Sequence, residues 1–187
     1  MTDEIIKNLG PLAPLAGIWE GGNGNDTAPS PDLNSQTTPF RERFVFEPLG
    51  PVNNHQQTLF GLRYNRTAWP EGASDPFHED LGYWLWDAQA KQVMRCFIVP
   101  RGVSIIAGAT VEPDAKSFVL AADVGSETYG ICSNQFLDKE FKTVHYELKI
   151  TIHDDQSFSY EEDTQLQIKG QKDLFHHIDK NTLKRTT

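Results

Sequence analysis

From residue 40 onward, short runs alternate apolar and polar side chains, and Gly, Pro, Asn and Asp punctuate them. A period of two puts successive side chains on opposite faces of a strand, so each run reads as a β-strand with one face toward a core. The clearest is "KTVHYELKITI", where Val144, Tyr146, Leu148, Ile150 and Ile152 share one face. Thr143, His145, Glu147, Lys149 and Thr151 share the other, with His153 following His145 outward. Further runs are "RERFVFE", "QTLFGLRY", "LGYWLWD", "QVMRCFIV", "GVSIIAG", "SFVLAAD" and "SFSYEEDTQLQI". They are joined by "PLGPVNN", "WPEGASDP" and "EPDAK", whose residues favour turns.

Eight or more strands in meander order predict an all-β fold, a closed antiparallel up-and-down barrel of about ten strands, because closure removes exposed sheet edges. A two-sheet sandwich is the other arrangement this pattern allows. The only helical candidate is "DEIIKNLGPLAPLAG", where Pro11 and Pro14 permit no more than short turns. The polar stretch "GGNGNDTAPSPDLNSQTTP" reads as a long mobile loop near one mouth of the barrel. With no internal repeat and no dividing linker, residues 1–187 read as one domain.

Composition narrows the function. Lys and Arg number 17 against 26 Asp and Glu, a net charge of −9, so the summed field repels phosphate backbones and anionic lipid heads. Nucleic acid and membrane surfaces are therefore not expected partners. No apolar run approaches the roughly 20 residues that span a bilayer. "MTDEIIKNLG" lacks a basic region followed by an apolar stretch, so a cytoplasmic protein is expected. Cys96 and Cys132 sit in no metal-type spacing and read as packing thiols. "WEGGNGND" has neither the strand-then-helix context nor the closing Lys-Ser or Lys-Thr of a phosphate loop. The acidic pairs at 154–155 and within 161–163 read as solvated, and no nucleophile elbow occurs.

Six histidines remain. His145 and His153 face outward by pattern, and His55 lies in a turn, which leaves His78, His176 and His177. A bond from His78 to a backbone carbonyl at the start of an aromatic strand would account for it without any ligand. His176 and His177 are neighbours, so at most one faces an interior point. Four tryptophans and eleven phenylalanines exceed what a small barrel needs merely to close, and such side chains line apolar pockets. An apolar cavity with one inward histidine suits heme, since imidazole is a good iron ligand and the macrocycle wants apolar walls.

"LAGIWEG" resembles the Gly-x-Trp opening of lipocalin-like and fatty-acid-binding-protein-like barrels, whose tryptophan, here Trp19, plugs one end. Together with "RTAWPEGASDPFHEDLGYW" and "LFHHIDKNTL", the order and spacing are similar to the nitrobindin family, the heme-binding β-barrels also found at the C-terminus of a THAP-domain protein. The resemblance spans most of residues 11–185. Trp69, Pro76, Phe77, His78, Glu79, Gly82 and Tyr83 occupy the family segment that leads into a pocket-lining strand, with Phe77 in place of the usual methionine. The family's iron ligand is matched by His176 and His177, and His177 matches better because apolar Ile178 follows it directly. Arg101 stands where a small hydroxyl residue is common, and the N-terminal glycine motif is kept only as Gly21, Gly22 and Gly24. The resemblance implies one ferric heme b with His177 as single axial ligand, and His176, His78, Phe77 and Trp69 about the cofactor. It further implies nitric oxide binding and isomerisation of peroxynitrite to nitrate, a small-molecule ligand in the cavity, and admits a homodimer. The competing reading is a non-enzymatic carrier of an apolar small molecule in the same barrel, and a third is a barrel filled by its own side chains.

Overall fold

The alternating runs form strands in the computed structural model, which describes residues 2–186. In chain order these are β1 (Gly17–Pro29), β2 (Ser35–Asn54), β3 (Gln57–Pro70), β4 (His78–Asp87), β5 (Gln92–Val99) and β6 (Val103–Thr110). They continue as β7 (Ser117–Val124), β8 (Gly130–Ser133), β9 (Phe141–Ile152), β10 (Ser157–Ile168) and β11 (Phe175–Thr186). The ring closes in the order β1-β11-β10-β9-β7-β8-β6-β5-β4-β3-β2. Neighbours are antiparallel except β7 and β8, which run parallel through Asp123–Gly130 and Val124–Ile131. A ring with an odd number of strands cannot alternate direction all the way round, so one parallel pair is unavoidable. The expectation of about ten antiparallel strands is corrected to eleven by this four-residue insertion. At one end β8 pairs with Val103–Ile105 of β6. Toward the other end β6 and β7 meet directly at Gly108–Ala121. A Cβ at Gly108 would fall inside the ring of Tyr129, so only glycine lets that ring lie there.

Three local expectations change. The polar stretch after Gly21 is a hairpin rather than a loop: β1 runs to Pro29 and β2 starts at Ser35, with Ser30 bonded to Asp32 and to the Asn34 carbonyl between them. Likewise "PLGPVNN" lies within β2, where the register to β3 shifts between Leu49 and Val52. In β9 a bulge sets Thr143 opposite Leu166 and His145 opposite Gln165, so the alternation breaks at Val144. Tyr146, Leu148, Ile150 and Ile152 are buried as expected, whereas Thr143 turns inward and Val144 stays outside the apolar core. Lys149 is exposed, and His145 bonds Asp123 on the outer surface.

The N-terminal segment forms α1 (Thr2–Ile6) and a 3-10 turn over Gly10–Leu15, as its prolines require. Leu9, Leu12 and Leu15 stop one end of the barrel against Trp19, Trp84, Trp86, Phe44, Phe46 and Phe158. Trp19 is 1% exposed, donates from Nε1 to the Leu15 carbonyl at 2.7 Å and meets Phe158 edge-on at 4.9 Å. Burying each such side chain contributes about 1.5–3 kcal/mol. A second helix, α2 (Gln135–Glu140), was not expected; the Asn134 side chain caps it by accepting from the Leu137 amide at 3.0 Å. It stands beside the end opposite the plug, next to β9.

Candidate functional site

Strand alternation aims a layer of polar side chains across the barrel, above the aromatic plug. Glu42 on β2, Tyr64 and Arg66 on β3, Asp80 on β4 and Arg95 on β5 all occupy inward positions, and all are buried. Tyr146 on β9, Tyr160 and Glu162 on β10 and Asn181 on β11 complete the layer. Arg95 donates to Tyr64 Oη at 3.1 Å, Glu162 Oε2 at 2.8 Å, Asp80 Oδ1 at 3.2 Å and Tyr146 Oη. Arg66 donates to Glu42 at 2.7 Å, Tyr160 Oη at 2.6 Å and Asp179 Oδ1 at 3.1 Å. The phenols pass the chain on, Tyr64 donating to Asp80 and Tyr160 to Glu42.

Burial raises the three tyrosines well above their ordinary range, so they remain neutral donors. Burial also pushes the Glu42 carboxyl up, against the pull of Arg66. Asp80 goes the other way: burial would raise it, yet Arg95, His78 and Arg66 outweigh that and hold it well below the usual carboxylate range. Asp179 is lowered too, burial being overcome by Arg66, His177 and His78. Both guanidiniums are thus charge-matched by acids, although Arg66 Nη1 is buried without a hydrogen-bond partner, its nearest carboxylates lying at 3.7 and 3.9 Å.

Above this layer the barrel opens into a cavity of about 360 Å³. Phe97, Val99, Val103, Ile105, Phe141 and Leu166 supply apolar walls, Thr143 joins them through the β9 bulge, and Glu162 and Asp179 form the floor. His177 lines the cavity, half-buried, with Nε2 at 2.7 Å from Asp26 Oδ1. Burial pulls this imidazole down, but the bond to Asp26 and the field of Asp26, Asp179 and Glu162 prevail and hold its pKa above the ordinary histidine value. His176 faces outward, Nδ1 at 2.7 Å from Asp163. His78 borders the cavity, its Nε2 at 3.0 Å from Asp80 Oδ2, and so has a buried carboxylate as partner rather than a backbone carbonyl. Phe77 lines an adjoining side pocket and meets Phe40 at 5.9 Å. Trp69 lies under the Arg41 guanidinium at 4.4 Å and is not among the residues lining either space. Arg101 stands exposed at the rim. A larger groove of about 480 Å³, with Lys149, Glu161 and Lys180 on its walls, runs over the outside of β9–β11 and is open and polar.

The donors present suit a heme. Among the described residues the one side-chain hydrogen bond of His177 joins Nε2 to the buried carboxylate of Asp26, which leaves Nδ1 available. An axial histidine normally has such a partner on its second nitrogen. The apolar wall is of the kind a macrocycle needs, and Arg101 is a cation at the rim for acidic edge groups. Asp26, His177 and Asp179 also bring one donor atom each to within 4.8 Å of one another.

Sequence reasoning placed Tyr146 inside and offered Asp179 as a partner for the second ring nitrogen of a ligating histidine, but it missed Asp26, which takes that place while Asp179 bonds Arg66, and the rest of the polar layer. Asp26 lay in a stretch read as loop, and Glu162 within an acidic run read as solvated; Glu162 is buried, which corrects that reading. The signal was available: Arg66 shares its face with Leu62, Tyr64 and Ala68, and Arg95 with Val93 and Phe97.

The chain matches the family model described as "THAP4-like, heme-binding beta-barrel domain" over residues 8–185. Its structure is similar to the crystal structure of Rv2717c from M. tuberculosis, with a TM-score of 0.65, 19% sequence identity and 98% of each chain covered. That likeness speaks for the fold. No curated protein sequence matches the chain.

Proposed function

The chain belongs to the THAP4-like heme-binding β-barrel domain family, and from that premise we propose that it holds one ferric heme b in the mouth cavity through His177. The observation that carries this reading is the inward His177, anchored by Asp26 beneath apolar walls. When bound, the heme would supply a Lewis-acidic iron able to take a small ligand, and we assign to it nitric oxide binding and isomerisation of peroxynitrite to nitrate. The protein's own share is positional. Asp26 fixes the direction of the His177 ring and keeps a proton on Nε2, so the opposite nitrogen serves as the donor. Phe97, Val103, Ile105, Phe141 and Leu166 keep water from the ligand's faces. His78, held by Asp80, places an imidazole at the cavity edge, where it would border the group rather than hold it.

The test compares the heme-reconstituted protein with His177→Ala and His176→Ala by Soret spectrum and by heme transfer to an apo-acceptor. Wild type and His176→Ala should show the same five-coordinate spectrum, and His177→Ala should lose it and release heme faster. Loss confined to His176→Ala would refute the assignment. A wild type without any Soret band would favour the carrier of an apolar molecule.

A further inference from the structure

Asp26 and Asp179 are paired directly across β1 and β11, and His177 stands two residues before Asp179 on the same face of β11. Backbone register therefore brings these three side chains together, independently of any ligand. They border a side pocket of about 60 Å³ that no protein atom fills, next to Arg66, Phe77 and His78. That space exceeds the roughly 10–15 Å³ needed for one water-sized occupant.

We infer that the heme-free protein binds one first-row divalent cation of the zinc or iron(II) class in this side pocket, through Asp26, His177 and Asp179. The inference goes beyond the heme reading and does not depend on it. Three arguments support it. One imidazole and two carboxylates are a donor set for these metals, and three protein ligands leave positions open on the cavity side. Calcium, which takes 6–8 oxygen ligands, is not served by three donors. The charge balance points the same way: five acids, Asp26, Glu42, Asp80, Glu162 and Asp179, face two buried arginines and the imidazoles of His78 and His177, so acids outnumber bases inside the barrel. Arg66 and Arg101 also touch the pocket, but Arg66 is bonded to Glu42 and Asp179 and acts on the site by fixing Asp179, while Arg101 is at the exposed rim. Such outer partners orient a ligating carboxylate.

On binding, the cation displaces the proton from His177 Nε2: from the imidazolium that proton leaves to solvent and the second stays on Nδ1, and from the neutral Nε2–H form the proton moves through solvent to Nδ1. The imidazole then keeps its remaining proton on the other nitrogen, so His177 serves either the cation or a heme, not both.

The experiment uses heme-free, chelator-stripped protein, titrated with Zn²⁺ by calorimetry and with Co²⁺ in the visible spectrum. One site per chain is expected, abolished by His177→Ala, weakened about tenfold or more by Asp26→Asn and unchanged in His176→Ala. Asp26→Glu keeps the charge but moves the carboxylate, and should shift the cobalt bands while the fold is retained. Zn²⁺-loaded protein should take up heme more slowly than stripped protein. Absence of binding, or binding indifferent to Asp26→Asn and His177→Ala, as a surface pair such as His176–Asp163 would give, overturns the inference. Heme uptake is measured separately: a protein that takes heme but no cation refutes this inference alone, and one that takes the cation but never heme refutes only the proposed function.

Discussion

Replacing Arg95 by methionine tests the polar layer where it is most constrained. The side chain is 1% exposed, and its guanidinium serves Tyr64, Tyr146, Glu162 and Asp80 while lying 4.1 Å from the Phe97 ring centroid. Methionine fills the volume of the aliphatic stem but returns none of those hydrogen bonds. Asp80 keeps Tyr64 and His78, but the only guanidinium left to Asp80 and Glu162 is the more distant Arg66, whose Nη1 is 3.9 and 3.7 Å away. Breaking one partner out of a buried ion pair costs about 3–5 kcal/mol, and at roughly 2–4 °C per kcal/mol for a chain of this size the melting temperature should fall by about 6–20 °C. The cost should depend on pH. In wild type the Asp80 carboxyl is held below its unfolded pKa of about 3.9, so its contribution is present above that value and is lost as pH falls toward the folded pKa. In Arg95→Met, burial is opposed by His78 and the more distant Arg66 without Arg95, so Asp80 is held down less and the variant should lose less stability than wild type as protons neutralise the carboxylate. The gap between the two proteins should be widest above about pH 4 and narrow as pH falls below it. Urea denaturation of heme-free protein at several pH values measures this directly. Asp80→Asn should cost less in the variant background than in wild type, because the Arg95 partner is already gone. A cost that stays constant across the pH range, or one within about 0.5 kcal/mol of zero, would refute the reasoning.

Trp19→Ala removes the ring that stops the closed end, and a large-to-small core change of this kind should cost about 3–5 kcal/mol in thermal or chemical denaturation; a change near zero would show that the plug is not structural. The acidic balance predicts retention on immobilised DNA or RNA no stronger than that of other acidic proteins at moderate salt, and salt-sensitive retention would contradict it.

The barrel and the opposite directions of His176 and His177 could be read from alternation, because a two-residue period fixes faces once a strand is recognised, whereas the plug was implied by the resemblance of the Gly-x-Trp opening to lipocalin-like barrels. What escaped was every feature that breaks or hides that period. The β9 bulge exchanges Thr143 for Val144, and no residue type announces a bulge there. The Gly- and Asn-rich composition of β1 imitates a loop, which concealed Asp26, the partner that orients His177. Glu162 follows Glu161 in an acidic run, and composition alone favours solvent for both; only Phe158, Tyr160 and Leu166 on the same face reveal its direction. Buried acids and arginines are legible only as a set, since each alone reads as a surface charge, and the set exists only after the ring has closed.

The short β8 also alters the shape of the vessel. Because β6 and β7 touch toward the plug and part to admit β8 at the mouth, the ring counts ten strands near its base and eleven at its rim. One additional strand lengthens the perimeter by at least about 4.8 Å, which widens the rim by roughly 1.5 Å in diameter relative to the base. The wall flares on one side only, where Val103 and Ile105 of β6 face the cavity and α2 stands alongside. Four residues thus turn a cylinder into a funnel, and deleting β8 while rejoining β7 to α2 should leave a tighter, even-numbered ring whose wide end has gone.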